Sequence, residues 1–415
     1  MKIEKIYTGS WFPRTKLHLK EFFNFLKYES SELELDKKKI ASLHDLLKIK
    51  KVDYTGGTFD QVSVLCEDCD FEYFGDGLLV LGKDFENIKK DLSFLENFYQ
   101  KKLAEILSFI YSKGAPLPLL TMLAPIHRVR TTLIAMSQAT EEEVNDLLKS
   151  LGSESPHAKV IDKNYQIYFS PQYICIVSKK VKTEECMNLI RHYIFFREYE
   201  AQMHKFLNIN RYLWDNVADI LKKEVIKYKE LPRLREKLLD YKEKNTLIKN
   251  RINQMDDYIS TRQIEATNSG YLGFLNKYKA DRFAKTMGIH NYVFKLWQMT
   301  DESLSSAAEL ISSLYQENTQ KELTTLQAIF LIGTTASFLT LGTMPGAVLK
   351  FFNPDGDLIA GGQFLSFDLM TMLKFGFMAL MISLGVYILW EIFFKNVRKF
   401  KVISIIKGLK NKDRF

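Results

Sequence analysis

Residues 323–349 read LTTLQAIFLIGTTASFLTLGTMPGAVL, with no charged side chain between Glu322 and Lys350. Leu326–Leu349 alone would make roughly 36 Å of helix at about 1.5 Å per residue, against a hydrocarbon layer about 30 Å thick. A second charge-free run, Phe375–Trp390, gives roughly 24 Å and borrows Met370–Leu373 and Ile392–Phe394 as flanks, with Lys374 and Glu391 snorkelling toward the headgroups. Both runs read as membrane spans; the alternative is a pair of buried core helices.

Basic residues set the orientation. Lys395, Arg398, Lys399, Lys401, Lys407, Lys410, Lys412 and Arg414 all follow the second run, which places that end on the cytoplasmic side. The connecting segment carries Asp355, Asp357 and Asp368 and fits the outer side. With two spans the N-terminus is expected inside as well. MKIEKIYTGSWFPRTK at the start has no apolar signal region. The expected location is therefore a membrane crossed twice, with both termini and about 320 residues ahead of the first span on the cytoplasmic side.

The chain has 415 residues, 26% of them charged, and a net charge of +8, which suits a large water-facing portion with a membrane hairpin appended. Its cysteines are Cys66, Cys69, Cys175 and Cys186, and a reducing compartment argues against a disulfide framework. Cys66-Glu-Asp-Cys69 has metal-ligand spacing without a second pair to complete a zinc site, so ordinary thiols at a strand end are the competing reading.

Strand-like runs occur at Lys2–Tyr7, Gln61–Leu65, Leu78–Leu81, Gln166–Phe169 and Tyr173–Ser178. Between them Phe85–Tyr111 predicts a helix, with Ile88, Leu92, Leu95, Phe98, Leu103, Ile106 and Ile110 in one apolar stripe. Gly114-Ala-Pro-Leu-Pro118 ends that pattern. Glu141–Leu151 predicts a second helix, its first turn acidic as the helix dipole favours. From Thr183 the pattern is helical, with interruptions at Glu230-Leu-Pro-Arg233 and Asn268-Ser-Gly-Tyr-Leu-Gly273. The segment Leu275–Gln327 carries Leu304, Ala307, Ile311 and Leu314 near a 3.5-residue repeat and runs into the first span without proline or glycine between Thr300 and Ile332. The fold class expected is an α+β cytoplasmic domain (1–182), a cytoplasmic helical domain and stalk (183–322), a first span (323–350), an outer loop (351–369), a second span (370–394) and a basic tail (395–415).

This order of parts resembles the CorA family of divalent-cation channels. At residue level the resemblance is strongest in Glu322-Leu-Thr-Thr-Leu-Gln-Ala-Ile-Phe330, which is similar to the start of the family's first span. The resemblance implies a homopentamer in a lipid membrane, with five copies of that span lining a pore. The family's Gly-Met-Asn signature at the outer end of the span is absent, and Leu341-Gly-Thr-Met-Pro-Gly346 stands in its place. Selective Mg2+ transport is therefore not implied, although Thr343 offers a ring of hydroxyls. CorA-like proteins without the signature occur as membrane effectors of type III CRISPR antiviral defence, gated by a nucleotide second messenger, the SAM-AMP conjugate of S-adenosylmethionine and AMP. The chain resembles that branch in its degenerate motif, enlarged cytoplasmic portion and basic character. A divergent transporter of Mg2+ or another divalent metal is the alternative, and a non-conducting membrane scaffold is a third reading.

If a nucleotide is the signal, its phosphate needs fixed cations and its rings need aromatic faces. Arg128 and Arg130 of His127-Arg-Val-Arg-Thr-Thr132, and Trp11 and Arg14 of Trp11-Phe-Pro-Arg14, supply both; Arg191 is a weaker candidate. Surface arginines and a hydrophobic plug under a sheet are the competing readings. The basic stretch from Lys222 to Arg251 reads either as an anion site or as a solvated face near acidic headgroups. In the first span, Gln327, Thr334, Ser337, Leu341 and Met344 share one helical face and predict a pore wall, unless their hydroxyls serve only backbone carbonyls. Asp355 and Asp357 would ring the outer mouth. There is no Walker loop, GxSxG or HExxH, so an enzyme is not expected; the partner the resemblance implies is a nucleotide, with no direct contact to nucleic acid.

Overall fold

A computed structural model describes residues 1–11, 19–32, 35–57, 60–111, 131–179, 181, 183–223, 225–342 and 399–401, together with Phe377, Met381, Gly385 and Ile388. The strands are β1 (Lys2–Trp11), β2 (Ile49–Thr55), β3 (Gln61–Cys66), β4 (Asp70–Phe74), β5 (Leu78–Asp84), β6 (Thr132–Gln138), β7 (Ala158–Ile161), β8 (Gln166–Phe169) and β9 (Tyr173–Val177). They form one nine-stranded sheet in the order β2-β3-β4-β5-β1-β6-β9-β8-β7. All neighbours are antiparallel except β6 and β9, which run parallel. All five strands expected from sequence are present. The four missed ones include the edge strands β2 and β7, which have no buried residue and so carry little apolar signal.

One face of the sheet packs against short helices: α1 (Leu19–Tyr28), α2 (Lys37–Asp45), α3 (Ile88–Phe98), α4 (Ala104–Tyr111) and α5 (Glu141–Ser150). Ile6, Val64, Phe71, Leu81, Ile134 and Cys175 of the sheet share a core with Phe22, Leu43, Leu95, Ile106 and Leu147 of those helices. The helix predicted over Phe85–Tyr111 begins instead at Ile88. Asn87 caps it, accepting from Lys90 N at 3.2 Å, while buried Asp91 accepts from Glu86 N at 2.9 Å and Asn87 N at 2.8 Å. A π-turn at Tyr99–Leu103 interrupts it, at the one place where the apolar stripe steps five residues, from Phe98 to Leu103. The extra residue of the π-turn keeps Leu103, Ile106 and Ile110 on the buried face. Helix α5 starts on a capping box between Thr140 and Glu143.

Three long helices follow: α6 (Glu184–Leu221), α7 (Leu231–Asn268) and, after the short α8 (Leu272–Lys277), α9 (Phe283–Gly342). Helix α6 lies so close to β1 that a Cβ at Gly9 would sit 2.4 Å from the Ile194 side chain and 2.7 Å from Leu79 O. The break between α6 and α7 falls before Leu231, and Pro232 is accommodated in the first turn of α7, where its missing N–H has no intrahelical partner to lose. Strands were not expected beyond Thr183, yet this break holds β10 (Val225–Lys227), paired antiparallel with β11 (Lys399–Lys401). Helix α7 ends where Gly270 adopts φ +72° and Tyr271 N donates to Ala266 O at 2.9 Å. The expected helix from Leu275 is divided by a turn in which Lys279 has φ 55°.

Helix α9 is unbroken over 60 residues. Phe283, Thr286, His290, Val293, Trp297, Thr300, Leu304, Ala307 and Ile311 are all buried, and they alternate three- and four-residue steps. The repeat seen in sequence at Leu304 is thus the end of a longer seam with coiled-coil periodicity. The described chain divides into two compact units, residues 1–212 with 245–299 and residues 213–244 with 300–415.

Candidate functional site

The seam of α9 closes at Asn318, which is buried and donates to Glu322 Oε1 at 3.1 Å. Lys321 pairs with Glu317 one turn back. Beyond these last charges the helix changes character. Leu323, Leu326, Phe330, Leu331 and Ile332 are all exposed, Phe330 at 73%. At about 100° per residue they point to every side of the helix, whereas the buried residues below them occupied one stripe. A helix apolar all round needs an apolar environment all round. Among the described residues no helix is long and apolar enough to cross a membrane. The structure follows the first charge-free run only as far as Gly342; the remainder of that run and most of the second lie outside the described residues. Phe377 and Met381 of the second run are helical and exposed.

The hydroxyls in this segment have a consistent geometry. Thr324 donates to Gln320 O at 2.9 Å, Thr325 to Lys321 O at 2.8 Å, Thr334 to Phe330 O at 2.9 Å and Ser337 to Gly333 O at 2.8 Å. Each donates its proton to the carbonyl one turn back, which makes it tolerable in an apolar setting. What such a hydroxyl still offers its surroundings is oxygen lone pairs. A row of them is a row of acceptors, suited to cations. Gln327 is exposed, and Thr334 and Ser337 are half-buried. Gln327, Thr334, Ser337 and Leu341 fall within about a third of the helix circumference. Thr343, Met344, Asp355 and Asp357 lie outside the described residues.

In the unit built on the sheet, Trp11 ends β1 and is 1% exposed. Its ring lies 4.9 Å from Tyr199, 5.6 Å from Phe195 and 6.1 Å from Tyr258, an aromatic plug on the α6 side of the sheet, and its Nε1–H has no acceptor among the described residues. Arg14, Arg128 and Arg130 lie outside the described residues. Thr131 donates through its N–H and its hydroxyl to Glu198 Oε1 of α6, at 2.9 and 2.8 Å.

Arg191 is held by acids. Its Nε donates to Glu72 Oε2 at 2.9 Å, its Nη2 to Glu72 Oε1 at 2.7 Å, and its Nη1 to Glu184 Oε1 at 2.5 Å. Burial works against the charged guanidinium, but the hydrogen bonds and charge of Glu72 outweigh it and hold the group above its ordinary range. Alongside, Arg262 Nε donates to Asp76 Oδ2 at 2.5 Å, with the guanidinium 4.6 Å from the Phe195 ring. His192, which feels the charge of both arginines, is depressed to about 3 by burial and then by the charge of Arg262. Its Nδ1 lies 2.8 Å from Asn188 O.

Sequence reasoning missed the Glu72 and Asp76 partners and a second basic group. Arg197 donates to Ser170 O at 2.6 Å, and burial followed by the charge of Arg282 lowers it to about 10. Lys285 and Arg282 share Glu200 Oε1, at 3.2 and 3.9 Å. No sequence spacing links these residues; helix packing brings them together. Cys66 and Cys69 close the β3–β4 turn, Cys66 N donating to Cys69 O at 2.8 Å, and both are buried free thiols. Among the described residues no group of His, Cys, Asp and Glu is arranged to hold a metal.

No family model and no curated protein sequence matches this chain. Among solved structures it is similar to the full-length CmaX protein, at 10% identity over 63% of this chain and 89% of that one, with a TM-score of 0.28. It is also similar to the CorA magnesium transporter of Methanocaldococcus jannaschii, at 14% identity over 63% of this chain and 91% of that one, with a TM-score of 0.24. Scores this low carry no argument for a shared fold. An α+β sheet unit carrying long helices is what the described strands and helices establish.

Proposed function

We propose that this chain is a CorA-like membrane cation channel, assembled as a homopentamer and opened when a nucleotide second messenger of the SAM-AMP type binds its cytoplasmic portion. The observation that carries the reading is the change at Leu323. One unbroken helix passes from a one-sided buried seam ending at Asn318 to a segment exposing Leu323, Leu326, Phe330, Leu331 and Ile332 around its circumference. A rigid rod with a water-facing half and a lipid-facing half transmits rotation or tilt from one to the other. Hydroxyls that have given their protons to the helix backbone favour cations along that rod. The ligand is bound and released, not transformed.

The test is ion flux from liposomes holding the full chain, with and without the nucleotide. Ligand-dependent cation flux is expected. Flux of divalent metal independent of nucleotide would favour the transporter reading, and no flux with any ligand or ion would leave a scaffold.

A further inference from the structure

The elbow between α6 and α7 carries Lys222, Lys223, Lys227 and Lys229, all exposed. Ile226 is buried, 1% exposed, and anchors β10 beneath them, so that the alternation of the strand turns Lys227 outward. Lys223 is engaged with Glu230 at 3.2 Å. Lys222, Lys227 and Lys229 form no ion pair among the described residues. Three lysines at a sharp turn, with no ion pair among the described residues, suit an anionic surface.

Two observations locate that surface. First, β10 pairs with β11, with Val225 opposite Lys401 and Lys227 opposite Lys399. Strand β11 begins five residues after Phe394, where the second apolar run ends. Five residues reach at most about 18 Å, and adjacent strands lie about 4.8 Å apart, so the elbow is tied close to the end of that run. Secondly, Arg235, in the first turns of α7, stands over the ring of Tyr315 on α9 at 5.7 Å. Tyr315 precedes Leu323 by eight residues, roughly 12 Å of helix. The start of the first apolar run and the chain that leaves the second are therefore both within reach of the same elbow.

We propose that this elbow, with β11, docks on the anionic headgroups of the inner leaflet through Lys222, Lys227 and Lys229. The inference rests on the membrane reading above. Lipid composition would then act on the turn that joins the two long helices, a partner for the channel distinct from its soluble ligand.

The test is hydrogen–deuterium exchange of the full chain in nanodiscs of phosphatidylcholine, with or without phosphatidylglycerol. Exchange over 225–230 and 399–401 is expected to slow in the anionic discs, by about fivefold for each lysine engaged, and to recover in high salt. The variant carrying Lys222→Gln, Lys227→Gln and Lys229→Gln should exchange at the neutral-disc rate in both. Equal exchange of the unaltered chain in the two discs would overturn the proposal. So would slowing in neutral discs on addition of inorganic phosphate, which would mark a free-anion site. Failure of the chain to enter discs at all, seen before any exchange is measured, would sink the membrane reading itself.

Discussion

Arg191 on α6 and Glu72 on β4, 119 residues apart in the chain, face each other through two hydrogen bonds of 2.9 and 2.7 Å. Their side chains are 11% and 18% exposed. A forked pair in that setting is a clamp between helix and sheet, and removing one partner leaves the other charge buried. Arg191→Ala is expected to cost about 3–5 kcal/mol of stability, and Arg191→Lys to recover little of it because the fork is lost. Thermal unfolding of the detergent-solubilised chain checks this. Loss of nucleotide affinity at unchanged stability would instead make Arg191 a ligand contact.

Gly9 has no room for a methyl group. A Cβ there would meet Ile194 and the Leu79 carbonyl, and the backbone oxygen cannot rotate away. Gly9→Ala should destabilise the sheet unit by about 1–3 kcal/mol, and adding Ile194→Ala should not restore it. Recovery in the double variant would show that the side-chain contact alone sets the spacing.

His192 gives a pH dependence of defined sign. Its folded value is depressed to about 3 from an ordinary 6.5, so below pH 6.5 the unfolded chain takes up a proton that the folded chain refuses. The contribution is complete above pH 6.5 and is lost as pH falls from there toward 3, at up to about 1.4 kcal/mol per pH unit. His192→Gln should flatten that part of the stability–pH curve. An unchanged curve would place the proton uptake on another group.

Thr334 and Ser337 each present an oxygen acceptor after satisfying Phe330 O and Gly333 O. Replacing them with valine and alanine keeps the helix and removes the acceptors. Cation flux is expected to fall by roughly fivefold per oxygen lost if each contact contributes about 1 kcal/mol, with assembly unchanged by size-exclusion chromatography. Full flux in the double variant would take these residues off the conducting path.

Arg128→Ala with Arg130→Ala is expected to lower nucleotide affinity by on the order of a hundredfold, the loss of two charge-assisted contacts. Titration calorimetry measures it directly, and unchanged affinity would direct attention to Arg197 and Arg282.

Much of the architecture could be read along the chain because it is written in local periodicity. The apolar stripe of Phe85–Tyr111 marks its helix, though not the π-turn that the fold places at the step from Phe98 to Leu103, and the repeat at Leu304, Ala307 and Ile311 marks part of a seam that begins at Phe283. The edge strands β2 and β7 were not legible, because half-exposed strands lack an apolar run. Trp11 and Arg191 looked alike as candidate contacts in sequence. In the fold one is an enclosed plug and the other is neutralised by acids.

The sequence by itself determined where charge stops at Glu322, the helical character of the chain beyond Thr183 and its breaks near Pro232 and Gly270, since each follows from neighbours a few residues apart. Tertiary structure decided which cations remain unspent. Strand order brings Glu72 to Arg191 and Asp76 to Arg262, and helix packing turns Arg197 onto a carbonyl of the β8–β9 turn. Charge neutralisation acts across a few ångströms of space, and the order of strands in a sheet, not spacing in the chain, sets which residues share them.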